Sequence, residues 1–330
     1  MTASLDWLLE EDDPGVRYLA LRDVVGMPPD DPGLIQAKQQ AHRHGPITNI
    51  LDHMQPEGYW KKPGPGYGPK YRSTVWSLIL LAQLGADMKL DGRIHTAVNY
   101  YLEHAVTEQG KICYNKDFGH TIDCLQGNIC YALQALGCRD ERLKKAFEWM
   151  ARSVTGDGVA PINNQGAELK YEGYQCGPLF ACGANDKLPC SWAAVKIMIA
   201  FGVLPKKDHT PLIRQAVAQG VDFLFSVDPL TAEWPHPHNA KPRPDWWKFG
   251  FPVFYNADLL QLVEALALLG YGHDPRLAST IQLVREKQDA AGLWPLELEY
   301  NGKTWGTYGT KGQPNKWVTL RALRALKWAG

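Results

Sequence analysis

The chain has 330 residues, of which 45% are hydrophobic, and its 35 basic side chains balance 35 acidic ones. Zero net charge without single-sign tracts argues against nucleic acid as a partner. No run approaches the roughly 18 apolar residues of a membrane span, and the N-terminus MTASLDWLLEEDD has acids where a secretory signal would have bases, so a cytoplasmic protein is expected.

Residues 4–26 read as two helices, the second opened by Asp13-Pro14 and closed by Gly26, and 32–45 and 46–54 read as two more. Together 1–54 are expected to be packing helices, ahead of a repeat region over 55–330 in one domain of 1–330. The stretch 55–78 is a Gly- and Pro-rich loop in which Lys61, Lys62, Lys70 and Arg72 mix with Tyr59, Trp60, Tyr67, Tyr71 and Trp76. Arg72 stands out as a candidate anion contact, because it precedes a buried helix whose free N–H groups already favour negative charge.

From there one grammar recurs: an apolar helix, a Leu-Gly stop, an acidic cap, and an amphipathic helix. It is seen over 75–105, 124–151 and 254–294, more loosely over 192–225, and as a lone apolar helix over 316–330. Gly85, Gly137, Gly202 and Gly270 end the apolar members at intervals of roughly 50 to 70 residues, as stacked helical hairpins would require. Asp274-Pro275 shows the cap chemistry at its plainest.

The segments 55-QPEGYW-60, 108-EQGKICY-114 and 288-QDAAGLW-294 each set an aromatic residue after a Gly turn. This pattern, beside repeated helix pairs from about residue 55 onward, resembles the prenyltransferase and squalene-cyclase repeat. The segments 251–271, 274–277 and 314–327 are similar to bacterial members of unassigned function. The resemblance implies an all-α protein, an α/α toroid with a central cavity, whose inner helices aim their N-terminal ends at one mouth. That mouth would gather Tyr71, Arg72 and Thr74, then His120, Asp123 and Cys124, then Cys190 and Trp192, then Tyr255 and Asp258, and finally Asn315, Lys316 and Thr319.

The seven cysteines of a chain without a signal are expected to be reduced thiols or metal ligands. Cys124 and Cys190 occupy matching repeat positions, and Cys182 lies in the loop leading to the second. With His120 they form a candidate zinc set, Zn2+ being implied by the Asp, Cys and His ligands of protein prenyltransferases. The family spacing differs here, since Asp123 and Cys124 are adjacent. Asp258, Asp123, Arg72 and Tyr255 are the candidate catalytic groups, and Trp76, Trp192, Lys316, His236 and His238 the candidate substrate contacts.

The cyclase-type Asp-x-Asp-Asp acid is absent. What emerges is a metal-assisted enzyme acting on a small apolar or isoprenoid-like substrate. A metal-dependent hydrolase of phosphate or carboxylic esters is the alternative, and a helical-repeat scaffold for protein partners the third. Oligomeric state stays open.

Overall fold

A computed structural model describes residues 3–115, 120–161, 163, 164, 166, 173–236 and 241–330. Thirteen α-helices run through the described residues. The first four are α1 (Ala3–Leu8), α2 (Pro14–Leu19, continued as a π-turn to Val25), α3 (Pro32–Arg43) and α4 (Pro46–Asp52). Next come α5 (Thr74–Gln83), α6 (Gly92–Ala105), α7 (Asp123–Ala135), α8 (Glu141–Thr155) and α9 (Ser191–Val203). The chain continues with α10 (Pro211–Leu224), α11 (Leu259–Leu268), α12 (Ala278–Glu286) and α13 (Lys316–Ala329). Among the described residues, extended backbone pairs only as isolated bridges.

The odd-numbered helices from α5 to α13 are the inner ones, and each packs on the next in turn: α5 on α7, α7 on α9, α9 on α11, α11 on α13. Their partners α6, α8, α10 and α12 lie outside, one apolar stripe inward and the rest to solvent. This is the expected α/α toroid. The gap between α13 and α5 is filled by α2, which packs on α13 and sets Tyr18 and Leu19 against Gly85 at the end of α5. The helix over 14–25 therefore serves as a sixth inner stave.

The repeated motifs have repeated structural work. Trp60 and Trp294 donate their indole N–H to Ile50 and Val284, closing the preceding helix, and their backbone N–H to the Thr74 and Thr319 hydroxyls on the next inner helix. In the middle copy the matching position is Ile112, not the expected Tyr114, and its N–H reaches Gln126 Oε1 of α7. Asp91, Asp140 and Asp274 each cap an outer helix through the N–H two residues on and fork the arginine there.

Gly85, Gly137 and Gly270 take the left-handed backbone that ends a helix. Gly202 does not, contrary to the sequence pattern: it lies inside α9, where the missing side chain admits Leu268 of α11, whose Cβ would stand 2.7 Å from an added Cβ.

Candidate functional site

At the N-terminal ends of α5, α7 and α9 lies a cavity of about 320 Å³. Trp76 of α5, Cys124 and Leu125 of α7, and Cys190, Ser191 and Trp192 at the start of α9 form its floor. Tyr67 and Lys70, then Gln175, Cys182 and Asn185, then His236, Arg243, Trp246 and Tyr255 come from the loops that deliver those helices. Burial of Trp76 is complete, and its indole N–H is fixed by the Tyr67 carbonyl at 2.7 Å. Rings of Tyr67, Trp76, Tyr255 and Trp192 follow one another at centroid separations of 5.4, 6.2 and 6.3 Å, a continuous aromatic wall.

Two cations sit on that wall. Lys70 Nζ lies 4.7 Å from the Tyr255 centroid and 5.7 Å from Tyr67, and the Arg243 guanidinium lies 5.4 Å from Trp192. Their charge is only partly compensated among the described residues, where Arg243 pairs with Asp245 at 4.0 Å and Lys70 forms no ion pair.

The thiols are positioned by a strained hairpin. Ala181 and Pro189 form an antiparallel bridge, which sends the side chains of residues 182 and 190 to the same face. Leu179, Phe180, Asp186 and Lys187 hold positive φ values of 51°, 63°, 52° and 60°, a cost of about 1 to 2 kcal/mol each that the surrounding contacts must offset. The Cys182 thiol is pushed down to about 6, first by Cys190 beside it, then by the amides of Ala184 and Asn185 and the charge of Lys187, against the opposing effect of burial. Cys190 is correspondingly raised, because it keeps the shared proton, and burial lifts Cys124 to about 12. Three cysteines thus face one cavity, with Cys182 the most acidic of them. His236 Nε2, also in its wall, is buried and has no hydrogen-bond partner among the described residues.

Seven candidate site residues are therefore brought together: Trp76, Trp192, Tyr255, His236, Cys124, Cys182 and Cys190. Others go elsewhere. Arg72 turns outward and donates to the carbonyls of Thr304 and Gly302. Lys316 is held by Glu10 and Asp12 and lies over Trp7, because the N-terminal helices occupy the flank of α13. Asp258 caps α11 through the Gln261 N–H and pairs with Arg321.

Asp123 lies behind the wall formed by its neighbours Ile122 and Cys124. Its carboxyl is fully buried and is driven well above the usual carboxylate range by desolvation, against the opposing pull of the Gly177 amide. His120 is one ring layer back from the cavity: it stands edge-on to Tyr114 at 5.1 Å, and Tyr114 packs on Tyr67. His238 lies outside the described residues.

Among the described residues no three His, Cys, Asp or Glu side chains converge as a metal ion requires. Tyr67, Lys70, Arg243 and Trp246 were visible in their loops as cations among aromatics, but sequence alone gave no reason to bring those loops to one point.

No protein-family model and no curated protein matches the chain. Among solved structures, a protein from Actinoplanes is similar over 88% of this chain and 75% of its own length, with 16% identity and a TM-score of 0.46. A type II terpene cyclase from Scytonema is similar over 99% of this chain and 86% of its own, with 16% identity and a TM-score of 0.42. A cellobiose 2-epimerase from Bacillus thermoamylovorans is similar over 64% and 58%, with 13% identity and a TM-score of 0.37.

Proposed function

We propose that the thiol-bearing cavity is the active site of an enzyme acting on a small amphiphilic molecule with an apolar, isoprenoid-like body and an anionic head. The observation behind this reading is the meeting of an aromatic wall, two cations with little carboxylate compensation and the Cys182 sulfur in one cavity of about 320 Å³. An apolar body gains from burial against Trp76, Trp192 and Tyr255. A head group carrying negative charge is attracted by Lys70 and Arg243 and by the N-terminal ends of α7 and α9.

In the reaction so assigned, Cys182 Sγ bonds to the carbon that joins body and head as the bond from that carbon to the head oxygen breaks. The electron pair leaves on the head, where the two cations compensate it. The body is left on Cys182 as a thioether, one head being released per chain, and His236 Nε2 stands in the same wall as a partner for a proton.

Farnesyl diphosphate and farnesol are suitable probes, because they share one body and differ in the head. Tryptophan fluorescence should report saturable binding of the diphosphate. Arg243→Ala should weaken it by roughly 10-fold or more while leaving farnesol unchanged, as loss of a hydrogen bond to a charged group implies. Cys182→Ser should keep binding and abolish diphosphate release. Absence of saturable binding, or a Trp192→Ala protein that binds as the wild type does, would overturn the assignment.

A further inference from the structure

The opposite mouth of the toroid is also hollow. At the C-terminal ends of the inner helices lies a second cavity, of about 380 Å³, to which α2, α5, α7, α9, α11 and α13 all contribute. A toroid needing only stability would fill its axis with aliphatic side chains. Here Gln83, Asn128, Gln261, Glu264, Arg321 and Arg324 point into it, and burying such groups is costly where apolar ones would serve.

Their charges cancel among themselves. Arg324 reaches Glu264 at 2.6 Å and Asp23 at 3.3 Å, Arg22 reaches Asp23 at 2.6 Å, and Arg321 reaches Asp258 at 2.8 Å. Arg139 lies at the exposed rim and donates to the carbonyl of Cys138. Among the described residues the interior therefore holds no unpaired charge for a polyanion or polycation.

It does hold spare hydrogen-bonding capacity. Among the described residues, Glu264 Oε2, Asn128 Oδ1, Gln261 Nε2 and the Tyr131 hydroxyl make no hydrogen bond, although each residue lines the cavity. Two of these atoms accept, one donates and the Tyr131 hydroxyl can do either, so the set offers three acceptor positions. A matching ligand must donate at several points without bringing net charge, which describes hydroxyl groups on a compact frame. Trp317 and Trp328 supply flat apolar surface in the same wall.

We infer that this second cavity is a binding site for a neutral, hydroxyl-rich molecule of about the size of one sugar ring. It is separate from the thiol-bearing cavity and does not depend on the reading given to that one.

The probes are D-glucose, D-mannose and myo-inositol, followed by thermal unfolding and tryptophan fluorescence. At least one should give a response that saturates in the millimolar range. Val203→Trp, which fills the mouth of the cavity from the end of α9, should abolish it. Tyr131→Phe should weaken it roughly 2- to 10-fold, the effect of one neutral hydrogen bond. Trp192→Ala in the other cavity should leave it unchanged.

Polyols also stabilise proteins by exclusion from the surface, which gives a rise linear in concentration and equal in every variant. A response of that kind alone, or one that persists in both Val203→Trp and Tyr131→Phe, would overturn the inference.

Discussion

Arg321 of α13 grips Asp258, the cap of α11, through two hydrogen bonds of 2.8 and 2.9 Å, and both residues are buried. The same carboxylate accepts the Gln261 N–H at 2.9 Å, and the guanidinium also donates to the Gly250 carbonyl at 2.7 Å. Asp258 thus ties two inner helices together, both of its carboxylate oxygens engaged. Removing it leaves a buried guanidinium without its counter-charge, so Asp258→Ala should cost about 3 to 5 kcal/mol by urea unfolding. Replacing both residues by apolar ones should cost much less than the two single changes added together, and a simple sum would show that the pair is not coupled.

The thiols should separate in reactivity. With Cys182 held down to about 6 and Cys124 raised to about 12, iodoacetamide at pH 7 should alkylate Cys182 first and leave Cys124 untouched in the folded protein. The labelling rate should rise with a midpoint near pH 6. Mass spectrometry of the modified peptides checks this, and a midpoint above 8 would show that Cys190 does not hold the shared proton.

Lys196 is buried in the middle of α9, its Nζ donating to the Phe254 carbonyl at 2.5 Å and to Gln261 Oε1 at 2.7 Å. Two donors suffice for a neutral amine. Burial depresses its pKa from 10.5 to about 7, so between those values the unfolded chain holds a proton that the folded one does not. Stability from this group is fully present above pH 10.5 and is lost as pH falls through 7. The unfolding free energy of the wild type relative to Lys196→Met should therefore rise from pH 7 to 10, by up to about 4 kcal/mol. A flat difference would mean that the ammonium stays charged in the fold.

Gly127 tests the closest helix contact. Its position in α7 faces the backbone of α9, where an added Cβ would lie 2.5 Å from the Lys196 carbonyl carbon and 2.6 Å from the Ile197 nitrogen. Helix propensity favours alanine by about 1 kcal/mol, but backbone atoms cannot rotate away as a side chain would. Gly127→Ala should give a net loss of about 2 kcal/mol or more in urea unfolding. An unchanged midpoint would mean that the two helices can part without penalty.

The amino-acid order alone determined the helices, their pairing and the mouth at which chemistry was sought. Each of these depends on neighbours within a turn or on a pattern repeated along the chain: the aspartate that caps and forks its own arginine, the glycine that ends an inner helix, the apolar period. It also singled out Trp76, Trp192, Tyr255, His236 and the three thiols, because they stand at helix starts or in the loops beside them.

Only the tertiary structure decided which of the polar groups at those starts face a cavity. Asp258 and Lys316 are taken up by Arg321 and by acids that follow α1, partners 63 and more than 300 residues distant in sequence. Arg72 meets carbonyls from a loop near the C-terminus. The second cavity was invisible for a related reason: a Gln or Glu on an apolar helix says nothing about whether it meets protein or open space. That is settled by how closely six staves can approach around one axis, a property of the assembled ring.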